Sequence, residues 1–191
     1  MASHRLPDGE PLDIGTAVAA GFFVFIAGQS TTGQLIATVL RRALTEPGLW
    51  QHVPGRTGLA EAWVEEVLRR EPPVTTWRRV TVRSAELGGA SIPDGAQLLL
   101  MLMLMGSGSD PTVFPVPERM RPYRTNVRHH LAFGVGRHRC PGASPARTEA
   151  AVALRIAASR LSGARLEEGG TESPMLGLLS FRAPLGVTVS R

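Results

Sequence analysis

The first long apolar stretch of the chain predicts a helix. From Pro11 through Ala43 the residues follow one helical pattern, apolar nearly all round in its first half, that ends before Glu46-Pro47-Gly48. A helix that is apolar on every side is usually buried, so we expect it to run through the core. Its charge-free residues 14–40 would suffice to cross a membrane. Because the polar cluster at 29–34 would lie at mid-bilayer, we favour a soluble, cytoplasmic protein without membrane contact.

Shorter patterns further along predict two more helices and several short strands. Turn residues and β-branched runs divide this part into a helix over about 58–70, a strand at 80–82, a hairpin within 86–95, loops over 106–139, a helix over 145–161 and a strand at 187–189. Residues 98–105 are apolar throughout, which is typical of either a buried strand or a short buried helix. The fold class predicted is mainly α with small β-sheets, without an internal repeat.

Composition places the chain among globular proteins and gives it a positive charge. Of its 191 residues, 43% are apolar and 19% are charged. All 21 residues counted as lysine or arginine are arginine, and the formal net charge is +5. Since arginine stays protonated and offers a planar fork of donors, anionic partners are expected. The single cysteine, Cys140, excludes an internal disulfide and any zinc or iron–sulfur site that needs several cysteines.

The segment around Cys140 has the most specific chemistry in the sequence. Residues 133–142 are Phe-Gly-Val-Gly-Arg-His-Arg-Cys-Pro-Gly, directly before the predicted third helix. The glycines allow tight turns close to a flat partner, and helix amides that begin just after Cys140 favour a thiolate. Residues 119–148 contain seven arginines and three histidines but no Asp or Glu. A lone cysteine is more often a small buried apolar residue, but these surroundings favour a functional one.

This segment resembles the haem-binding signature of the cytochrome P450 family, the haem-thiolate monooxygenases. The resemblance implies that Cys140 is the proximal thiolate ligand to the iron of haem b, with Gly134 and Gly136 in the haem-binding loop. It also implies that Phe133 packs beside the porphyrin and that His138 hydrogen-bonds a propionate. A thiolate ligand pushes electron density to iron and favours cleavage of the O–O bond.

Three further features agree with that resemblance. Glu66-Val67-Leu68-Arg69 matches the family's Glu-x-x-Arg element, although Glu65/Arg69 and Glu66/Arg70 also have the spacing of ordinary surface pairs on a helix. Residues 114–120 resemble the family's Pro-Glu-Arg-Phe-like loop, which implies that Arg119 joins Glu66 and Arg69 in a buried network on the proximal side. Arg79 matches an arginine that reaches the other propionate, and an exposed strand arginine is the equal alternative.

The predicted first helix resembles the family's distal helix at residues 27–32. The resemblance implies that Ala27 and Gly28 belong to an oxygen-binding groove in a locally opened helix, and that the Thr31 hydroxyl donates to bound peroxide. Ser30 stands where the family usually has an acid. Taken alone, such a cluster of Ser and Thr more often reflects helix packing or back-bonding to the carbonyl four residues earlier.

The resemblance implies a bacterial-type monooxygenase that oxidises a small organic substrate with O2. Its electrons would come from a ferredoxin-like donor docked on the arginine-rich loop. Residues 1–191 resemble only the C-terminal portion of the family's fold, a partial domain without the upstream half. A second chain covering that missing half is therefore one partner to consider.

Two other functions stay open at this point. A catalytically silent remnant or interaction module would account for the missing half and for Ser30, Met120 and Pro145, at positions that the family fills otherwise. A nucleic-acid binder would use the same arginines, but only Tyr123 and Phe133 are aromatic between residues 119 and 147. Because no nucleic-acid motif accompanies them, we expect no nucleic-acid partner.

Overall fold

The structure is a computed structural model, and it describes residues 5, 8–100, 106–167, 175 and 180–190. In these residues the helices are α1 (Ile14–Thr45), α2 (Leu49–His52), α3 (Leu59–Arg70), α4 (Ser107–Ser109) and α5 (Ala143–Arg160), with 3-10 helices at Val127–His129 and Gly136–His138. The strands are β1 (Trp77–Val80), β2 (Ala85–Leu87), β3 (Ala90–Ile92), β4 (Gln97–Leu100), β5 (Arg165–Leu166) and β6 (Val189–Ser190). The prediction of a mainly α fold with small sheets is confirmed.

The strands form three antiparallel pairs: β1 with β4, β2 with β3, and β5 with β6. The predicted hairpin is β2–β3, where Gly88 and Gly89 have φ values of 58° and 78°. Two successive positive φ angles are those of a tight hairpin turn that favours glycine. In the apolar run 98–105, residues 98–100 belong to β4 and pair with β1, while residues 101–105 lie outside the described residues.

The core lies between the second half of α1, α3 and α5. Val39, Val67 and Leu154 are fully buried in one apolar cluster, together with a row of alanines on α5 that lets the helices approach closely. The indole of Trp63 donates to the Val39 carbonyl at 3.3 Å, and that of Trp50 donates to the carbonyl of residue 161 at 2.9 Å. The predicted helices over 58–70 and 145–161 are therefore found as α3 and α5, and their packing positions the loops between them.

The first half of α1 departs from its prediction. The side chains of Phe22, Phe23 and Phe25 are about two-thirds exposed, so the expectation that this half runs through the core is wrong for the chain as described. Burial begins only at Leu35, where α3 and α5 pack against the helix. By length and composition α1 could also cross a membrane, a criterion that core helices of soluble proteins meet as well. The absence of membrane contact stays a prediction.

Candidate functional site

The loop that ends at Cys140 is folded back on itself. Gly134 and Gly136 have φ values of 68° and 72°, in the left-handed region that favours glycine. The Cys140 amide donates to the Phe133 carbonyl at 2.9 Å, which closes the loop into a compact turn. Cys140 itself is a free, half-buried cysteine. The structure thus brings Phe133, Gly134, Gly136 and Cys140 into one turn, as the motif predicts.

Helix α5 begins three residues after Cys140 and presents its N-terminus to this turn. The Ala143 amide donates to the Cys140 carbonyl at 3.4 Å. A methyl group on Gly142 would lie 3.7 Å from the Cys140 sulfur, so the first residues of the helix pack directly beside it. The positive end of a helix dipole favours a thiolate at such a position. The arrangement therefore suits a thiolate that binds a metal ion.

The two residues predicted to bind the haem propionates, His138 and Arg79, are both exposed. His138 lies on the 3-10 helix just before Cys140, and Arg79 lies on β1. The Arg79 guanidinium donates to the neighbouring Arg78 carbonyl at 2.8 Å, so the alternative of an exposed strand arginine describes its present contacts. The propionate roles of both residues stay predictions.

The candidate oxygen-binding residues lie on α1, which is an unbroken helix through this region. The Thr31 hydroxyl donates to the Ala27 carbonyl at 2.7 Å, which is the back-bonding that the sequence left as an alternative. The Ser30 hydroxyl accepts from the Gln34 side chain at 3.1 Å, and Gly28 is exposed. The helix is therefore not locally opened here. Among the described residues, no hydrogen bond joins this segment to the Cys140 loop.

Glu66 and Arg69 form a fully buried ion pair. The Arg69 Nε and Nη2 groups donate to the two Glu66 carboxylate oxygens at 2.9 and 2.8 Å, and neither side chain is exposed. Arg69 also donates through Nη1 to the Gly108 carbonyl. The alternative of an ordinary surface pair is therefore wrong for these residues.

Arg119 is not the third member of this network, and that prediction is corrected. The Arg119 side chain is exposed, and Arg124 instead donates to the Glu66 carboxylate at 3.4 Å. The turn at Val116, whose φ is 51°, lets carbonyls of the loop converge on the Arg124 guanidinium, including that of Arg119 at 2.9 Å. The loop conformation therefore selects Arg124, which the motif alone could not reveal.

A second buried ionic cluster adjoins the first and was not predicted. The Glu65 carboxylate accepts from Arg147 through Nε and Nη2, the latter at 3.2 Å, and from His130 Nε2 at 3.2 Å. Arg128 lies 3.6 Å from the same carboxylate but is mostly exposed. The sequence offered one signal for this cluster, the arginine-rich run from 119 to 148. Because that run contains no acid, a carboxylate partner for its arginines has to come from another part of the chain, here Glu65.

This cluster makes the stability of the chain depend on pH. Burial acts to raise the pKa of Glu65, but hydrogen bonds from His130 and Arg147 outweigh it and hold the pKa at about 2, below its ordinary 4.5. Stability from a lowered carboxyl pKa is complete above the unfolded value and is lost as the pH falls towards the folded one.

We therefore expect the free energy of unfolding of the wild-type chain to fall by about 2 kcal/mol from this group, after allowance for solvent screening. The loss should occur as the pH falls from 4.5 to about 2. Urea unfolding at stepped pH checks this against Glu65→Gln, which has no carboxyl at this position. Between pH 4.5 and about 2, the free energy of unfolding of Glu65→Gln should depend less on pH than that of the wild type. Parallel pH dependences of the two proteins would contradict the lowered pKa of Glu65.

Comparisons with known proteins agree on one family. Residues 56–174 match the sequence model of the cytochrome P450 family. Protein DesVIII of Streptomyces venezuelae is 36% identical over 195 aligned positions, which cover 100% of this chain and 48% of that protein. Putative cytochrome P450 140 of Mycobacterium tuberculosis is 36% identical over 151 positions, which cover 78% of this chain and 33% of that protein.

The solved structures agree as well. Cytochrome P450 CYP109Q5 from Chondromyces apiculatus superposes with a TM-score of 0.89 at 31% identity, over 98% of this chain and 47% of its own. The haem domain of a P450 from Tepidiphilus thermophilus gives a TM-score of 0.87 at 29% identity, over 94% of this chain and 42% of its own. The chain thus spans less than half the length of these relatives. Its fold and sequence show that it belongs to the cytochrome P450 family.

Proposed function

We propose that this chain forms the haem-thiolate part of a monooxygenase, in which Cys140 would hold the haem iron through its thiolate. The observation that supports it most is the half-buried, free Cys140 thiol in a glycine-shaped turn at the N-terminus of α5. A thiolate is a strong donor to iron, and its electron donation favours O–O cleavage.

The residues around Cys140 fit a haem. A methyl group on Gly136 would meet nothing within 4 Å beyond its own chain neighbours, so there is open space beside the turn at this position. The amide of Cys140 is already used by the Phe133 carbonyl, which leaves the sulfur as the group available to a ligand. When bound, haem would supply the O2 activation by which one oxygen atom enters an organic substrate.

The remaining candidate residues have separable tasks in this proposal. Phe133 would flank the ring, while His138 and Arg79 would donate to its carboxylates. Thr31 would turn its hydroxyl proton from the Ala27 carbonyl towards the oxygen site, which requires the 2.7 Å back-bond to break.

Ser30 has no carboxylate, so it would relay protons only by passing them through its hydroxyl. The small residues Ala27 and Gly28 would leave room beside these hydroxyls. Proton delivery would therefore depend on two hydroxyl groups and ordered water.

Electron transfer requires a partner, and the exposed charge suggests its chemistry. The exposed arginines in the stretch before Cys140 are Arg119, Arg121, Arg128, Arg137 and Arg139. An acidic, ferredoxin-like protein would be attracted to this surface, and such steering weakens as the salt concentration rises. A cytoplasmic location, where such donors occur, belongs to the same proposal.

A haem titration followed by a turnover assay tests the proposed function. The full chain is loaded with haem and supplied with a ferredoxin, its reductase and NAD(P)H, and oxygen consumption is measured with a panel of apolar substrates. We expect one haem per chain and substrate-dependent turnover, both lost in Cys140→Ala.

The second candidate function, a non-catalytic interaction module, is favoured by the exposed apolar first half of α1. Large exposed apolar patches usually mark interfaces. A folded chain that takes up no haem would contradict the monooxygenase proposal and support the module.

A further inference from the structure

We propose that Glu65, His130 and Arg147 are positioning residues for Cys140, acting through the turn that starts at Phe133. This inference rests on the proposed function of Cys140. It concerns a cluster that is separate from the Glu66–Arg69 pair, although both acids lie on α3.

Arg147 contacts the Cys140 segment on both of its sides. Its guanidinium lies 4.5 Å from the centre of the Phe133 ring, in the range of a cation–π contact. Its Nη1 group donates to the Ala143 carbonyl at 3.2 Å, in the first turn of α5. Since the Phe133 carbonyl accepts the Cys140 amide at 2.9 Å, one side chain fixes the residues that bracket the cysteine.

His130 fixes the entry to the same turn. Its Nδ1 atom accepts the Ala132 amide at 3.2 Å, which leaves Nε2 as the nitrogen that donates to Glu65 at 3.2 Å. The imidazole ring is buried, and its centre lies 6.5 Å from that of Phe133. Glu65 therefore orients both the histidine before the turn and the arginine behind it.

If Glu65 and Arg147 served only to join α3 to α5, the contacts of Arg147 with the residues around Cys140 would not be needed. The same two helices are also joined by Glu61 and Arg155, an ion pair that is about half exposed. Burying Glu65 costs desolvation energy, which is offset only if its hydrogen-bond partners are well placed. The buried cluster thus specifies a geometry, and the residues whose geometry it specifies are those that bracket Cys140.

The test uses the haem-free full chain, in which Cys140 is the single thiol. Two readouts are measured: hydrogen exchange of the Cys140 amide by NMR, and the pH profile of Cys140 alkylation by iodoacetamide. Neither requires haem, and amide exchange is compared with the global unfolding limit in each variant. A general loss of stability would change all protected amides together, whereas a positioning role changes the Cys140 turn first.

We expect Glu65→Gln and Arg147→Lys each to speed exchange of the Cys140 amide by about tenfold beyond the change in global stability. Both variants should also change the pH at which the rate of Cys140 alkylation by iodoacetamide reaches half its maximum. The matched controls Glu61→Gln and Arg155→Lys break the other ion pair between the same helices and should change either readout less than about twofold. Adding Phe133→Leu to Arg147→Lys should give less than the sum of the single effects, because Phe133 transmits the contact.

Equal effects in the cluster variants and the controls would overturn the positioning role. If Glu65→Gln fails to fold, Arg147→Lys and its cycle with Phe133→Leu decide the question. If Arg147→Lys fails to fold, Glu65→Gln decides it against the two controls. Failure of the proposed function gives a different result: a chain that shows the expected exchange pattern but takes up no haem keeps the positioning role and contradicts only the haem ligation.

Discussion

Arg69→Ala is expected to lower the free energy of unfolding by about 3–5 kcal/mol, the usual cost of removing one partner of a buried ion pair. Arg69 and Glu66 have no exposed side-chain surface. Among the described residues, the donors left to the Glu66 carboxylate would be the Arg121 amide and the more distant Arg124. Alanine would also leave the Gly108 carbonyl without its arginine donor.

Urea unfolding at neutral pH measures this loss. Arg155→Ala is the control because it removes an arginine from an exposed pair with Glu61, and such pairs contribute less than about 1 kcal/mol. A loss of under about 1 kcal/mol for Arg69→Ala would contradict the assignment of this pair as the centre of the proximal network. Haem content, measured in parallel, should fall with the folded fraction.

Gly108→Ala is expected to destabilise the chain by about 3 kcal/mol, at the upper end of the usual cost of overpacking. A methyl group at this position would overlap the Arg69 carbonyl oxygen, which belongs to helix backbone and cannot rotate away. The chain around α4 would have to move, and the Gly108 carbonyl would then no longer meet the Arg69 guanidinium. Thermal or urea unfolding gives the size of the loss.

The matched control is Gly33→Ala on α1, where the added methyl group would meet no other atom within 4 Å. Because alanine is the better helix former, this control should stabilise the chain by about 0.5–1 kcal/mol. If Gly108→Ala were as well tolerated as Gly33→Ala, the close approach of α4 to the end of α3 would be contradicted.

Much of the fold follows from the sequence because its signals are local. Pro72 and Pro73 follow α3 and end it near Arg70, and the Gly88-Gly89 pair sets the β2–β3 hairpin. The exposure of Phe22 and its neighbours on α1 is not local, since it depends on which other elements pack there. The apolar pattern predicts that such a helix needs cover, but it does not say that the same chain supplies it.

The candidate site likewise has one part that the sequence predicts and other parts that only the tertiary structure reveals. The Cys140 turn was predicted because its glycines, cysteine and helix start are adjacent in sequence. The choice of Arg124 over Arg119 depends on the left-handed turn at Val116, which no sequence pattern indicated. The Glu65 cluster joins residues 65 positions or more apart, so only the packing of α3 against α5 and the loop reveals it.

The central claim, that Cys140 provides the thiolate ligand, is tested most directly by an absorption spectrum. The full chain and Cys140→Ser are each mixed with haem, reduced, and exposed to carbon monoxide. We expect the wild-type chain to give a thiolate-type Soret band and the serine variant, of nearly the same shape, to give none. A wild-type spectrum without that band, or a serine variant that retains it, would contradict the assignment of Cys140.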